Sequence, residues 1–225
     1  MKLHVIGTGS KGNSYFLEEN GSGVLLDAGV RSKQILDTIH YDIRSIKVAV
    51  ITHVHGDHSL SQDWLEKNRV PVNTGQDAYY GEWAIKTFDA YHDVPCKGFI
   101  VSNMQTGHKV LYATDTYQLP YLFPGITQYV IECNYCTNKL MENIAAGKVF
   151  QGMKKRLLIS HMSLDTLDKF FQDQDMSGCV KIVLVHLSDG NSDETEMVER
   201  IYSRTGVDTV AAHNGDVIDF TLFEF

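Results

Sequence analysis

The run His53-Val54-His55-Gly56-Asp57-His58 places four potential metal ligands within six residues. Crowding imidazoles and carboxylates in this way is costly unless the group binds something, because each polar tip gives up water. His53 and His55 stand two apart and point their rings the same way only where the backbone is extended. Asp57 and His58 then fall in the following turn and at the start of a helix, aimed at a second point. Gly56 permits the bend between the two pairs. The spacing predicts two neighbouring metal positions, and imidazole with carboxylate suits zinc, manganese or iron. Such a site activates water for hydrolysis.

Four side chains cannot fill two metal shells, so other strands must deliver more. The apolar run Val48–Ile51 reads as a buried strand leading straight into the motif. His92 follows a strand, while Asp115 and His186 each end an apolar strand abruptly. Further strand-like runs are Leu3–Ile6, Ser14–Leu17, Val24–Leu26, Gly98–Val101, Val110–Ala113, Tyr129–Glu132, Leu157–Ile159, Val180–Val185 and Val207–Ala211. Gln105-Thr106-Gly107-His108 has the composition of a hairpin turn. Helix-like segments fall at Ser32–Ile39, Ser59–Asn68, Asn138–Ala146, Leu164–Asp173 and Asp193–Ser203. Early strands come in hairpins and later ones alternate with helices. That mixture predicts an α/β protein with mixed sheets flanked by helices and its chemistry at strand ends.

The 225 residues contain no linker, low-complexity stretch or like-charge block, so one domain spanning 1–225 is expected. A hydrophobic share of 43% with 21% charged residues is ordinary for a soluble globular protein. No apolar run approaches the roughly 20 residues a membrane-spanning helix needs. Met1–Ile6 reads as the first strand rather than an export signal. Cys96, Cys133, Cys136 and Cys179 are too few for a disulfide scaffold at this length, and a cytoplasmic protein with reduced thiols is expected. Cys133-Asn134-Tyr135-Cys136 lacks a second cysteine pair for a zinc site and a thioredoxin-like context, and reads as core. A net charge of −8 argues against coating nucleic acid by charge alone. A nuclease remains compatible with it, because metal ions handle phosphate inside an acidic protein.

The six-residue motif resembles the HxHxDH signature of the metallo-β-lactamase superfamily and differs from the HExxH helix of zinc proteases. The resemblance implies an αββα sandwich, two mixed sheets with helices outside. It implies that His53, His55 and His92 hold one divalent ion, Asp57, His58 and His186 a second, with Asp115 between them and zinc the leading metal. Ile6–Ser14, with Gly7, Gly9, Ser10, Gly12 and Asn13, resembles the GSGSxGN loop of the YycJ/WalJ-like group, related to ribonuclease Z and PhnP. His92–Phe99, Glu132-Cys133-Asn134, Ser160–Ser163 and His186–Asn191 resemble further elements of that group, so the likeness runs from Gly7 to about Asn191. The group continues its E-x-N element with His-Asp, where this chain has Tyr135-Cys136.

That group implies a phosphodiesterase or nuclease, acting chiefly on DNA ends with a hydroxide between two metals as nucleophile. Nucleic acid or a small phosphodiester is the expected substrate, with no membrane partner. Asp57 is expected to orient the attacking water and His161 to assist the leaving oxygen. Ser10, Asn13 and Asn134 are the expected substrate contacts, and Lys154-Lys155-Arg156 could form a phosphate-binding rim. Asp27 and Asp93 are the candidates for orienting imidazoles. The rivals are a thioester, lactone or β-lactam hydrolase on the same metals, a flavodiiron-type oxidoreductase, which His55 argues against, and a non-catalytic binding module.

Overall fold

The computed structural model describes residues 1–149 and 157–221. Among the described residues one sheet holds six strands, in the order β13-β1-β2-β3-β4-β5, and the other seven, in the order β12-β11-β10-β9-β8-β7-β6. In the first are β1 (Lys2–Gly7), β2 (Ser14–Glu19), β3 (Ser22–Leu26), β4 (Ile46–Val50), β5 (Val72–Asn73) and β13 (Val217–Asp219). In the second are β6 (Ala78–Tyr80), β7 (Trp83–Ala90), β8 (Cys96–Asn103), β9 (Lys109–Ala113), β10 (Gln128–Glu132), β11 (Lys181–Val185) and β12 (Thr209–Ala211). Hairpins join β1 to β2, β2 to β3, β6 to β7, β7 to β8 and β8 to β9 antiparallel. Pairing is parallel for β3 with β4, β9 with β10, β10 with β11 and β11 with β12.

Side-chain alternation along the strands sorts the apolar residues into layers. Val48 and Val50 of β4 meet Val110 and Tyr112 of β9 between the sheets, with Leu3, Tyr15, Leu26, Trp83 and Phe99. The alternate residues face outward. Ala49 and Leu25 pack under Ile35 of the helix Ser32–Thr38 and Leu65 of the helix Gln62–Lys67. Leu111, Ile131 and Leu184 pack under Leu167 and Phe171 of the helix Leu164–Gln172 and Ile201 of the helix Glu194–Thr205. This is the expected helix–sheet–sheet–helix sandwich.

Two expectations fail. Leu157–Ile159 is helical, as part of 157–160; a short apolar run carries no periodicity that separates strand from helix. Gly56 carries no positive φ and a Cβ there would meet nothing within 4 Å. The turn is made instead by His55, extended at φ −62° and ψ 145°, as the N-cap of the short helix Gly56–Ser59. Lys154-Lys155-Arg156 lies outside the described residues. No helix among the described residues is long and apolar enough to cross a membrane.

Candidate metal centre

Parallel registers align the ends of neighbouring strands, Leu26 with Val50, Ala113 with Ile131 and Glu132 with Val185. The segments after β3, β4, β9, β10 and β11 therefore leave the sheets along one edge. Asp27 and His186 follow β3 and β11 directly, Asp115 follows β9 one residue later, and each of the three has a positive φ, 56°, 57° and 51°. Left-handed backbone costs a non-glycine residue about 1 kcal/mol or more, and Asp and His are among the few that tolerate it. The twist turns all three side chains back over the strand ends, where Gly9 to Asn13 and the helix Gly56–Ser59 close the other side.

His53, His55 and His92 form one cluster of donors, and Asp57, His58 and His186 another. Nε2 of His53 lies 3.0 Å from Nδ1 of His55, which is 3.3 Å from Nε2 of His92. Asp115 stands between the clusters: its Oδ2 is 3.8 Å from His53, 3.6 Å from His92 and 3.5 Å from His58, and its Oδ1 is 3.3 Å from His186. All seven ligands anticipated from sequence are thus brought to one place. Together with Ser10 and His161, most of them line a cleft of about 450 Å³.

The outward nitrogens are held by acceptors. Nδ1 of His58 donates to Asp27 at 2.7 Å, and Nδ1 of His92 to the Ser160 carbonyl at 3.0 Å. Nδ1 of His186 donates to Glu132 at 2.9 Å. Nδ1 of His53 lies 3.0 Å from the Thr52 hydroxyl, which donates to Asp27. A proton fixed on the outer nitrogen leaves a lone pair on the inner one. Those lone pairs converge, and Nε2 of His186 is buried with no hydrogen-bond partner among the described residues. A converging set of imidazole lone pairs and carboxylates fits divalent cations and fits little else.

Electrostatics agree with that fit in two ways, with neutral rings at one cluster and carboxylate charge that favours a cation at the other. Burial, aided by His58, pushes the His53 imidazole down to about 3, and burial also lowers His92, so both rings stay neutral and ligand-competent. Burial would also lower His58, but the carboxylates of Asp27 and Asp115 outweigh it and hold the ring well above its ordinary value. Burial would raise Asp115, yet His186, His58 and His161 keep its carboxyl well below the usual range.

Sequence reasoning missed Glu132 as an orienting group. It is fully buried and accepts from Nδ1 of both His161 (2.7 Å) and His186 (2.9 Å), and from the backbone N–H of Thr116 and Met162. Asp27 stands where expected, also accepting from the Tyr112 hydroxyl at 2.6 Å. Asp93 does not stand behind His92: it lies 3.1 Å from Nε2, the nitrogen turned toward His55, and Ser160 takes the other nitrogen. Asn13 and Asn134 are buried and leave no face for substrate. Asn13 holds Gly9 and lies 3.1 Å from Nε2 of His58, while Asn134 donates to the His186 carbonyl. Ser10 is exposed on the cleft. Cys133 and Cys136 are buried and free, as expected of core residues.

The sequence model of the metallo-beta-lactamase superfamily matches residues 7–86. Exodeoxyribonuclease WalJ of Streptococcus pneumoniae is 24% identical over 261 aligned positions, covering 99% of this chain and 93% of that one. The fold is shared with the metallo-beta-lactamase fold protein YhfI of Bacillus subtilis, with a TM-score of 0.72, 16% identity and coverage of 96% and 98%. The short form of human tRNase Z also shares it, with a TM-score of 0.62, 16% identity and coverage of 98% and 100%. Sheet order, converging donors and these matches agree: residues 7–86 match the metallo-β-lactamase superfamily model, and the chain as a whole has the metallo-β-lactamase αββα sandwich fold.

Proposed function

We propose that this protein is a binuclear metal-dependent phosphodiesterase acting on nucleic acid, DNA ends first among its substrates, with zinc the leading metal. The observation that carries the reading is the pair of donor clusters with Asp115 between them on one cleft wall. His53, His55 and His92 would hold one ion, Asp57, His58 and His186 the other, and Asp115 both. When bound, two such ions supply Lewis-acid stabilisation of charge on a phosphoryl group and make water acidic enough to attack near neutral pH. The similarity to an exodeoxyribonuclease and the shared fold with a tRNase favour a phosphodiester over a thioester or lactam.

The chain's own side chains have distinct tasks in this reading. Asp57, half-buried at the first turn of its helix, orients the attacking water and accepts its proton. His161 lines the cleft with Nδ1 on Glu132. From that position its ring assists the departing oxygen, as general acid or by stabilising its charge. Ser10 offers a hydroxyl to the phosphate. Cytoplasmic residence belongs to the same proposal, because it matches access to nucleic acid.

The test is Asp57→Ala, assayed on labelled DNA, labelled RNA and a small phosphodiester, with thioester and β-lactam substrates in parallel. Phosphodiester cleavage is expected to fall at least about 100-fold, with circular dichroism unchanged. Undiminished DNA cleavage by the variant, or turnover of the thioester alone, defeats the reading.

A further inference from the structure

His186 is held in its left-handed conformation from three directions. Its ring donates from Nδ1 to Glu132, and its carbonyl oxygen accepts from the Asn134 side chain at 2.8 Å. The third hold comes from the opposite sheet, where the His186 backbone N–H donates to the Thr8 hydroxyl at 3.0 Å. Thr8 follows β1 at the start of the glycine-rich loop. Left-handed backbone at a histidine is strained and persists only where surrounding contacts over-determine it. Glu132 and Asn134 belong to the same sheet as His186, so Thr8 is the contact that ties this ligand to the other half of the sandwich.

Thr8 is itself braced. Its backbone N–H donates to the Asn214 side chain at 2.8 Å, and the buried Tyr15 hydroxyl donates to its Oγ1 at 2.9 Å. Two donors thus fill the acceptor capacity of one hydroxyl oxygen. Further along the loop, Asn13 N–H donates to the Asp57 carbonyl at 2.7 Å, and the Asn13 side chain stands 3.1 Å from Nε2 of His58. One loop therefore touches all three residues of the second cluster. Among the described residues no hydrogen bond joins it to His53, His55 or His92; His53 and His92 lean on Thr52 and Ser160 instead.

We propose that Thr8 is a positioning residue for the second cation alone: its hydroxyl fixes where His186 presents Nε2, so the glycine-rich loop governs the hold on one ion without touching the other. This rests on the two-cation reading of the cleft and deepens it by separating how the two ions are retained. Thr8 acts through His186 and takes no part in bond breaking. Valine matches the shape of threonine but accepts no hydrogen bond, so Thr8→Val leaves the His186 N–H and the Tyr15 O–H without their partner.

The test counts zinc bound per chain by elemental analysis after dialysis against a series of buffered free zinc concentrations. The parent is expected to bind two ions, and His186→Ala identifies the one that depends on that ligand. In Thr8→Val the free zinc that half-fills this position is expected to rise about 10- to 100-fold, while the other position is unmoved. Thr8→Ser restores the parental value, because the hydroxyl alone is required. Asn214→Ala, at an exposed site, shifts the same ion in the same direction by a smaller factor, and it decides the matter where Thr8→Val fails to fold. Parental occupancy in a folded Thr8→Val, an equal shift of both ions, or a shift in the ion that His186→Ala retains overturns the role of Thr8 and leaves the two-cation reading standing. Where Asn214→Ala decides, an unshifted ion has the same force. A parent that binds a single ion defeats both.

Discussion

Asp27 shows how much of a metal centre lies outside its ligands. It is fully buried and receives hydrogen bonds from the His58 ring, the Thr52 backbone and hydroxyl, and the Tyr112 hydroxyl. Through Thr52 it also reaches the His53 ring, so one carboxylate fixes an imidazole in each donor cluster. Asp27→Asn keeps the shape and removes the charge that orients those rings. Groups of this kind are worth about 10- to 100-fold in metal affinity. Competition against a chromophoric chelator is expected to show a loss of that size, and an unchanged affinity would mean the rings are held by packing alone. Asp27 was legible in the sequence because a carboxylate ending an apolar strand is conspicuous. Glu132 does the same work for His161 and His186, which lie 29 and 54 residues away. Glu132 too ends an apolar strand, but only the fold shows which imidazoles it meets.

Among the elements, the helix Gly56–Ser59 is held by its backbone as well as by the buried His58 side chain. Asn13 N–H donates to the Asp57 carbonyl, Ala28 N–H to the His58 carbonyl, and Gly29 N–H to the Asn13 carbonyl. A Cβ on Gly29 would stand 1.7 Å from the Asp57 carbonyl oxygen and 2.7 Å from the His58 nitrogen. Gly29→Ala therefore has to push this helix away, carrying Asp57 and His58 with it. Metal affinity is expected to fall about tenfold or more, although no ligand is altered; calorimetric titration of the apo variant checks it. Most elements could be read from apolar patterning, including the strand before the metal motif. Strands of two or three residues such as β5, β6 and β13 are too short to show a period. β7 is legible only as a strand of unstated bounds before His92, because Lys86, Thr87 and Asp89 dilute its alternation, although Trp83 and Ile85 are buried.

For the molecule as a whole, the donor clusters draw on both layers of the sandwich. His53, His55, Asp57 and His58 follow β4 of one sheet, and His92, Asp115 and His186 follow β7, β9 and β11 of the other. Cations bound there stabilise the native state alone. At a metal concentration of about 100 times Kd the gain is about 2.7 kcal/mol. For a chain of this size that corresponds to roughly 5 to 10 °C in Tm. Chelation followed by scanning calorimetry is expected to show that decrease and metal restoration to reverse it; an unaltered Tm would deny the ions any hold on the fold.

The same placement has a consequence for the history of each molecule. The ligands are scattered from position 53 to position 186 and come together only when β11 has paired with β10. A nascent chain that has just emitted His53 to His58 holds a half-site with no opposing wall. A divalent cation would therefore find its full set of ligands only in chains whose two halves have met correctly.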